Sequence, residues 1–324
     1  MTKFGIALSA EQHGPNALID KARRAEEAGF EFALVSDHFH PWLAEQGESA
    51  FVWTVLGGIA RETDTLEVGT GVTCPTIRIH PAILAQAAAT TAAAMDGRFF
   101  FGVGTGENLN EHVTGERWPG HHVRLDMLEE AIEVIRGLWD GEMYNHYGDH
   151  YTVENARIFT RPEEPPPIHV AAEGPIMADA AGRIGDGLIA TRPDASIVDD
   201  FQSGGDGAGG DGDRPRYGQM TACYAESEEE ATEILHENWR NGGLPGELGQ
   251  ELPTPKHFDQ AAQLVEPSEL AESAAVGPDP EPYIESIEEY VDAGFDHVYV
   301  HQANPDAEGF FEFYEDEVLP ESSS

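Results

Sequence analysis

Short apolar segments alternate with amphipathic segments eight times along this chain of 324 residues. The apolar segments have the length of buried strands, and the amphipathic segments carry apolar residues at helical spacing. Eight such repeats in one chain of about 300 residues are typical of a (β/α)8 barrel, whose parallel strands are joined by helices. The predicted strands are residues 4–8, 32–35, 66–73, 98–103, 168–171, 187–190, 217–224 and 297–300.

A doubly wound open sheet would produce a similar alternation of strands and helices. That fold usually carries Gly-x-Gly-x-x-Gly after its first strand, whereas residues 9–12 here read Ser-Ala-Glu-Gln. We therefore predict an α/β fold, a single (β/α)8 TIM barrel domain over residues 1–320 with insertions near residues 139–167 and 241–267.

Three segments depart from the repeat. Tyrosines around Gly148-Asp149 predict a hairpin in the first insertion. The second insertion is rich in proline, which predicts irregular structure. Residues 203–213, rich in glycine and aspartate, predict a flexible loop.

The composition excludes several classes of partner. The chain has 18 basic and 60 acidic residues and a formal net charge of −42, which argues against nucleic acid and anionic membranes, because both attract basic surfaces. The acids are spread along the whole length, so we predict adaptation to concentrated salt rather than an acidic tail. No apolar run is long enough to span a membrane, and we expect no signal peptide, because the chain enters a strand-like pattern at Phe4. Two cysteines predict a reducing, cytoplasmic setting and no cysteine-based metal site.

Polar and small residues stand at the carboxyl ends of the predicted strands, which face one mouth in a barrel. These residues are Glu11, Asp37, His38, Trp42, Gly71, Val72, Cys74, Glu107, Asn108, Ala171, Ala172, Gly174, Thr191 and Arg192. Histidine titrates near neutral pH without help, so His38 beside Glu11 and Glu107 suits proton transfer. The alternative is a satisfied loop histidine, with acids that cap helices or are solvated.

The small residues indicate room for a flat ligand. Gly71-Val72 and Ala171-Ala172 would leave bare backbone against a ring system, and Gly174-Pro175 opens a helix whose amides could hold phosphate. The alternative is that these glycines and alanines only close tight turns.

Several motifs follow one another along nearly the whole chain. They are Ser-Ala-Glu-Gln at 9–12, Val-Ser-Asp-His-Phe-x-Pro-Trp at 35–42, Val-Gly-Thr-Gly-Glu-x-Leu-Asn-Glu at 103–111, Ala-Ala-x-Gly-Pro at 171–175, Ala-Gly-Arg-x-Gly-Asp-Gly at 181–187, Lys-His at 256–257 and Tyr-Val-Asp-x-Gly at 290–294. Together they resemble the luciferase-like superfamily, and within it the coenzyme F420-dependent glucose-6-phosphate dehydrogenases.

The resemblance implies an enzyme, usually a homodimer, that passes a hydride from the carbinol carbon of a small-molecule sugar or related secondary alcohol to coenzyme F420. It implies that His38 is the base that takes the hydroxyl proton, that Glu107 is an acid near the coenzyme, and that Trp42 shapes the substrate site. No metal ion is expected. The implied coenzyme contacts are Asp37, Gly71, Val72, Cys74, Asn110, Ala171, Ala172 and Gly174, with a cis peptide bond between Gly71 and Val72. The implied substrate contacts are Glu11, Thr191, Lys256 and His257.

The chain departs from the family where the sugar phosphate would bind. That site uses a threonine, two lysines and an arginine, and Thr191 and Lys256 stand where the resemblance places them. Asp194 takes the place of one lysine, and Ser273 takes the place of the arginine. Because an aspartate repels a phosphate and only one of the three cations is left, we expect an unphosphorylated aldose or another secondary alcohol to be at least as good a substrate.

Two other functions remain open on the same barrel. One is a methylenetetrahydromethanopterin reductase-like or flavin-dependent luciferase-like monooxygenase reaction, which does not need a base at the end of the second strand. The other is a non-catalytic barrel that binds a flavin-like ligand, for which the presence of both His38 and Glu107 is unfavourable.

The acidic composition predicts that the chain folds cooperatively only in molar salt, because dissolved ions screen the repulsion among its carboxylates. We expect the thermal midpoint to rise strongly between about 0.1 M and about 2 M potassium chloride, a range over which the Debye length shrinks severalfold. A midpoint that stays constant across this range would contradict the prediction.

Overall fold

Eight parallel strands close into a barrel in the computed structural model, which describes residues 2–206, 214–306 and 308–322. The strand order is β9-β11-β1-β2-β3-β4-β7-β8, and β8 pairs with β9 to complete the ring. This arrangement confirms the predicted (β/α)8 barrel. The strands, numbered in chain order, are β1 Lys3–Leu8, β2 Phe32–Val35, β3 Glu67–Thr70, β4 Phe99–Val103, β5 Tyr144–Tyr147, β6 Thr152–Ala156, β7 Ile168–Ala171, β8 Gly187–Ala190, β9 Arg216–Cys223, β10 Ala275–Val276 and β11 His297–Gln302.

Three of the eleven strands in the described residues lie outside the ring. β5 and β6 form an antiparallel hairpin, as the tyrosine-rich segment predicts, and β10 adds two residues to the edge of β9.

The helices pack outside the barrel and bury their apolar faces against it. None of the helices among the described residues is long and apolar enough to cross a membrane. The helices are α1 Pro15–Glu27, α2 Val52–Glu62, α3 Pro81–Ala94, α4 Asn108–Glu111, α5 His121–Trp139, α6 Pro175–Ile184, α7 Ala195–Asp206, α8 Glu228–Trp239, α9 Leu248–Glu251, α10 Pro255–Ala262, α11 Pro267–Ala271, α12 Glu281–Asp292, α13 Glu308–Phe313 and α14 Leu319–Ser322, with a π-helical turn at Tyr314–Val318.

Two sequence predictions about the connecting segments were wrong. Residues 203–206, expected to be loop, continue α7, and the rest of the predicted loop lies outside the described residues. Residues 241–267, expected to be irregular, contain α9, α10 and the start of α11. The prolines that suggested irregularity open α10 and α11, where the missing amide hydrogen costs nothing.

Large side chains fill the lower part of the barrel interior. Phe32, Leu34, Phe100, Ile189, Tyr217 and Tyr299 form one buried cluster there. Alternate residues of a strand point to the same face, so the residue two positions beyond each of these lies nearer the mouth on the same side. Ser36 and His301 occupy such positions at the ends of β2 and β11, and the interior therefore becomes polar where the strands end.

Gly102 lets β3 and β4 approach each other closely. A Cβ at this position would overlap the Thr70 carbonyl oxygen, which is fixed in the neighbouring strand. We therefore expect Gly102→Ala to lower the free energy of unfolding by about 3 kcal/mol.

Gly57→Ala is the matched control, because Gly57 is exposed in α2 and a Cβ there meets nothing within 4 Å. It should raise the free energy of unfolding by about 0.5–1 kcal/mol. Urea denaturation at constant high salt measures both values, and equal effects of the two substitutions would contradict this account of the barrel.

Candidate active site

The imidazole of His38 faces the carboxylate of Glu11 at the mouth of the barrel. His38 Nε2 lies 3.5 Å from Glu11 Oε1, and the two side chains are 9% and 3% exposed. The other carboxylate oxygen accepts a hydrogen bond of 2.7 Å from Ser36 Oγ, and Ser36 Oγ accepts one from the amide of Ala10. Neighbouring strand ends therefore hold Glu11 in one orientation toward His38.

The backbone fixes the tautomer of His38. Nδ1 lies 3.2 Å from the carbonyl oxygen of His40, and a carbonyl oxygen can only accept a hydrogen bond, so Nδ1 carries the hydrogen. Ser49 Oγ donates to the His38 carbonyl oxygen at 2.7 Å and steadies the same turn. In the neutral ring, Nε2 therefore has a free lone pair beside Glu11, and the carboxylate stabilises the imidazolium that forms when Nε2 takes a proton. This is the arrangement of a general base.

Trp42 closes one side of this pair. Its ring meets the His38 ring edge to face at 4.9 Å and the Phe258 ring at 5.1 Å. Phe258 belongs to α10 and is buried with Leu43 and Leu109. The short helices of the second insertion thus cover Trp42 and fix the wall of the site.

A buried arginine lies between two carboxylates next to His38. Arg78 Nη2 donates to Asp37 Oδ1 at 2.9 Å, and Arg78 Nε lies 3.5 Å from Glu111 Oε1. Thr73 Oγ1 donates to the second Asp37 oxygen at 2.8 Å, and the Arg78 amide donates to Glu111 Oε2 at 2.7 Å. The side chains of Arg78, Asp37 and Glu111 are 7%, 1% and 1% exposed. We call these three residues the Arg78 cluster.

Burial and charge act in opposite directions within the Arg78 cluster. Burial alone would lower the pKa of Arg78, but the carboxylates of Asp37 and Glu111 raise it. For Glu111 the loss of water dominates over the attraction of Arg78, and burial raises its pKa from 4.5 to about 7. The cluster therefore carries a guanidinium at all relevant pH values and one carboxyl that titrates near neutrality.

Asn110 ties the His38 turn to α4. Its side-chain oxygen accepts hydrogen bonds from the amides of Phe39 at 2.9 Å and His40 at 3.2 Å, and its amide group donates to Glu107 Oε2 at 3.3 Å. Asn110 is 2% exposed, so its polar atoms are used inside the protein. Glu107 precedes α4 and is half-buried.

Small residues form an open surface beside the pair of His38 and Glu11. The Gly71–Val72 peptide bond is cis, as the resemblance implied, and Gly71, Val72 and Ala171 are half-buried. Gly174 caps α6, no acidic residue lies in the first turn of that helix, and a Cβ on Gly174 would meet nothing within 4 Å. A bare floor next to a free helix amino end fits a flat ring with an anionic arm, and therefore fits a deazaflavin coenzyme.

Two other residues expected at the coenzyme lie within the wall. Ala172 is 2% exposed and Cys74 is 6% exposed. Cys74 Sγ is 2.9 Å from Thr76 Oγ1, and burial raises the pKa of its thiol well above the ordinary value. Cys74 is therefore an uncharged packing residue.

The rim of the mouth is acidic near Thr191. Thr191 Oγ1 donates to Glu173 Oε1 at 3.3 Å, and Arg192 Nη2 donates to the Glu173 carbonyl oxygen at 2.8 Å. Asp194 is exposed and accepts hydrogen bonds from the amide and hydroxyl of Ser196. The cation Arg192 therefore lies between two carboxylate-bearing residues.

The remaining residues of the expected substrate site lie on the second insertion and beyond it. Lys256 and His257 are exposed in the first turn of α10, and His257 Nδ1 is 2.7 Å from Thr254 Oγ1. Ser273 is exposed, and its hydroxyl donates to the Leu270 carbonyl oxygen.

The sequence predictions missed Arg78, Glu111 and His301. Arg78 lies between β3 and α3, where no motif had drawn attention to it. A buried arginine requires a carboxylate partner, so Asp37 directly after a buried strand was the one available signal. Glu111 stood within a recognised motif, and His301 directly followed the last predicted strand.

The titration of Glu111 predicts a pH dependence of stability. A folded-state pKa of about 7 lies above the ordinary 4.5, so folding favours the protonated form. Protonation of Glu111 therefore contributes about 3 kcal/mol to the free energy of unfolding. This contribution is complete below about pH 4.5 and is lost as the pH rises to about 7. Glu111→Gln, which mimics the protonated carboxyl, should therefore become more stable relative to wild type by about this amount over the same range.

Urea denaturation at several pH values in constant high salt measures this difference. Glu62→Gln, which removes an exposed carboxylate from α2, is the control and should differ from wild type by a nearly constant amount. If the Glu111→Gln difference is equally constant, Glu111 stays ionised and the prediction is wrong.

Comparison with known proteins identifies the family of this barrel. The family model of the luciferase-like monooxygenases matches residues 1–297. The F420-dependent glucose-6-phosphate dehydrogenase of Amycolatopsis mediterranei is 35% identical over 328 residues, which cover 99% of this chain and 98% of that protein. The F420-dependent hydroxymycolic acid dehydrogenase of Mycobacterium tuberculosis is 36% identical over 321 residues, 98% of this chain and 87% of that protein.

A solved structure matches over the full length. An F420-dependent secondary alcohol dehydrogenase, solved in complex with an F420-acetone adduct, is 32% identical, with a TM-score of 0.92 and 99% of both chains covered. With this overlap and the family match, the chain belongs to the luciferase-like monooxygenase family.

Proposed function

We propose that the protein is a coenzyme F420-dependent dehydrogenase that oxidises the CH–OH group of a sugar or a related secondary alcohol. The observation that carries this proposal is the pair of His38 and Glu11, in which the backbone directs the hydrogen of His38 to Nδ1 and leaves Nε2 at the mouth. The relatives and the solved structure that cover 98–99% of this chain are named as F420-dependent enzymes that act on such groups.

The coenzyme supplies a hydride acceptor when it is bound. Gly71, Val72 and Ala171 offer the floor for its ring, and the amino end of α6 at Gly174 offers amides for its anionic arm. Asp37 contributes through the Arg78 cluster, which holds the turn that carries His38, and Asn110 holds the same turn from α4.

His38 Nε2 takes the hydroxyl proton as the carbinol hydrogen leaves as hydride, and a carbonyl group remains. Glu11 stabilises the imidazolium, and the Nδ1 hydrogen bond keeps the ring from turning away. Trp42 packs against the His38 ring and shields the reacting hydroxyl from water. Glu107, half-buried beside this turn, would be the acid near the coenzyme.

The rim favours an uncharged substrate. Glu173 and Asp194 place negative charge beside Thr191 and Arg192, and the Ser273 hydroxyl already donates to the Leu270 carbonyl oxygen of α11. Lys256 and His257, which are exposed in the first turn of α10, complete the proposed substrate site. Repulsion between these carboxylates and a phosphate supports an unphosphorylated aldose, oxidised at C1, or another secondary alcohol.

Two rival reactions are less well supported. The coenzyme F420-dependent tetrahydromethanopterin reductase of Methanopyrus kandleri is 23% identical with a TM-score of 0.80, and a Streptomyces bottropensis monooxygenase is 19% identical with a TM-score of 0.75. These likenesses show a shared barrel. A base with a fixed tautomer beside a carboxylate suits the oxidation of an alcohol better than either reaction or a non-catalytic role.

The setting of the enzyme belongs to the same proposal. We infer that residues 1–320 act as one barrel domain, as a homodimer in the cytoplasm of a cell with high internal salt. The net charge of −42 supports the last of these points.

Replacement of the base should separate turnover from coenzyme binding. We expect His38→Ala to lower kcat by about 10²- to 10⁴-fold, the usual contribution of a positioned base, with little change in the Kd of coenzyme F420. His40→Ala is the matched control, because the His40 ring faces the Leu109 carbonyl oxygen rather than Glu11.

The assay follows loss of the oxidised coenzyme absorbance for turnover and coenzyme fluorescence for binding. Near-normal turnover of His38→Ala would exclude His38 as the base and make Glu107 the first residue to test. Coenzyme binding without turnover of any alcohol by the wild type would instead favour the non-catalytic barrel.

The acidic rim predicts the order of substrates. We expect kcat/KM for glucose to equal or exceed that for glucose 6-phosphate, and Asp194→Lys to shift the ratio toward the phosphate by restoring a cation. Steady-state kinetics in constant salt measures both ratios. A strong preference of the wild type for the phosphate would mean that Lys256 and Arg192 suffice to bind it.

A further inference from the structure

A second histidine reaches the mouth of the barrel from β11. His301 follows Tyr299 by two residues, and Tyr299 belongs to the cluster inside the barrel, so the His301 side chain lies on the interior face nearer the mouth. Its register partner on β9 is Thr221. The Glu11 carboxylate acts electrostatically on the His301 ring. His301 therefore belongs to the same chamber as the His38–Glu11 pair.

His301 is buried but not satisfied. The residue is 7% exposed, and its Nε2 has no hydrogen-bond partner within the described residues. Burial lowers the pKa of the ring to about 4, although Glu11 acts in the opposite direction. The imidazole is therefore neutral at physiological pH and presents one free polar atom. Buried polar atoms are nearly always paired, so an unpaired one on a chamber wall indicates a missing ligand.

Trp239 extends the same wall. Its ring meets the His301 ring edge to face at 4.2 Å, and its Nε1 is buried and also lacks a partner in the part of the chain that the structure describes. An indole nitrogen only donates, whereas a neutral imidazole has one donor and one acceptor. The wall can therefore satisfy a group that both donates and accepts hydrogen bonds.

We propose that His301 and Trp239 form a hydroxyl-binding wall that recognises a second, non-reacting hydroxyl of the substrate. The substrate class that follows is an uncharged polyhydroxylated compound, a sugar or sugar alcohol, rather than a simple secondary alcohol. This inference rests on the proposed function, because it assigns the reacting hydroxyl to His38.

The charges around the wall favour hydroxyl over the alternatives. A carboxylate or phosphate would meet the negative charge of Glu11 and find only neutral donors. An apolar group would leave the polar atoms of His301 and Trp239 buried and unpaired, which is the more costly outcome. A hydroxyl pairs with both without bringing a net charge.

His301→Leu and Trp239→Phe remove the hydrogen-bonding atoms while they keep apolar bulk. The measured quantity is the kcat/KM for the best uncharged polyol of a panel divided by the kcat/KM for cyclohexanol. We expect each substitution to lower this ratio about tenfold, the effect of one lost hydrogen bond. His301→Asn, which keeps a polar side chain, should restore part of the ratio. The matched control is His169→Leu, because His169 is a buried neutral histidine on the interior face near the start of β7 and also has an unpaired nitrogen in the described structure.

A binding measurement separates this inference from the proposed function. Calorimetric titration of the protein, with and without coenzyme F420, uses 1,5-anhydroglucitol, a sugar that lacks the C1 hydroxyl. We expect His301→Leu to weaken its binding about tenfold and His169→Leu to leave it unchanged. Sugar binding that depends on His301 without turnover of any alcohol would support the wall and refute the dehydrogenase.

Three results would overturn the wall. The first is that His301→Leu and His169→Leu have equal effects on the ratio and on sugar binding. The second is that the wild type uses cyclohexanol better than every polyol. The third is that His301→Leu has an unchanged melting point and binds the sugar as the wild type does. The last result would mean that an ordered water, rather than substrate, satisfies His301.

Discussion

The buried ion pair between Arg78 and Asp37 is the interaction on which the proposed site depends. It joins the segment after β3 to the turn after β2 at 2.9 Å, and His38 follows Asp37 directly in the chain. The Glu111 carboxylate brings α4 to the same guanidinium. Removal of one member of such a cluster leaves an uncompensated buried charge, which typically costs 3–5 kcal/mol. The position of the proposed base is thus set by a cation that need not touch substrate.

The carboxylates of Asp37 and Glu11 near the mouth have different roles because different side chains surround them. Asp37 is matched by Arg78, and its charge is neutralised within the protein. Glu11 has a serine hydroxyl and an imidazole as partners, so its charge is available to stabilise a proton on His38. Arg78, placed beside Asp37 and not beside Glu11, therefore separates an architectural carboxylate from the carboxylate that faces the proposed base.

The sequence predicted the barrel well because each of its strands is a short apolar run ended by polar or small residues. β2, β7 and β8 begin and end where the apolar segments predicted. Residues 203–206 were wrongly predicted as loop because their glycines resemble loop composition, although they continue α7, which packs against α6. At the site, local motifs identified His38 and Glu11, but Arg78 and His301 could not be assigned, since their partners lie far along the chain. Arg78 meets Asp37 and Glu111, and His301 meets Trp239.

The hydrogen bond from His38 Nδ1 to the His40 carbonyl oxygen also determines how the enzyme returns to its starting state. With one ring nitrogen held by the backbone, the proton taken in the proposed reaction can leave only from Nε2, toward the space that substrate occupied. Glu11 offers no route of its own, because it is 2% exposed and its second oxygen is held by Ser36 among the described residues. In the proposed reaction, departure of the carbonyl product therefore precedes release of the proton to solvent.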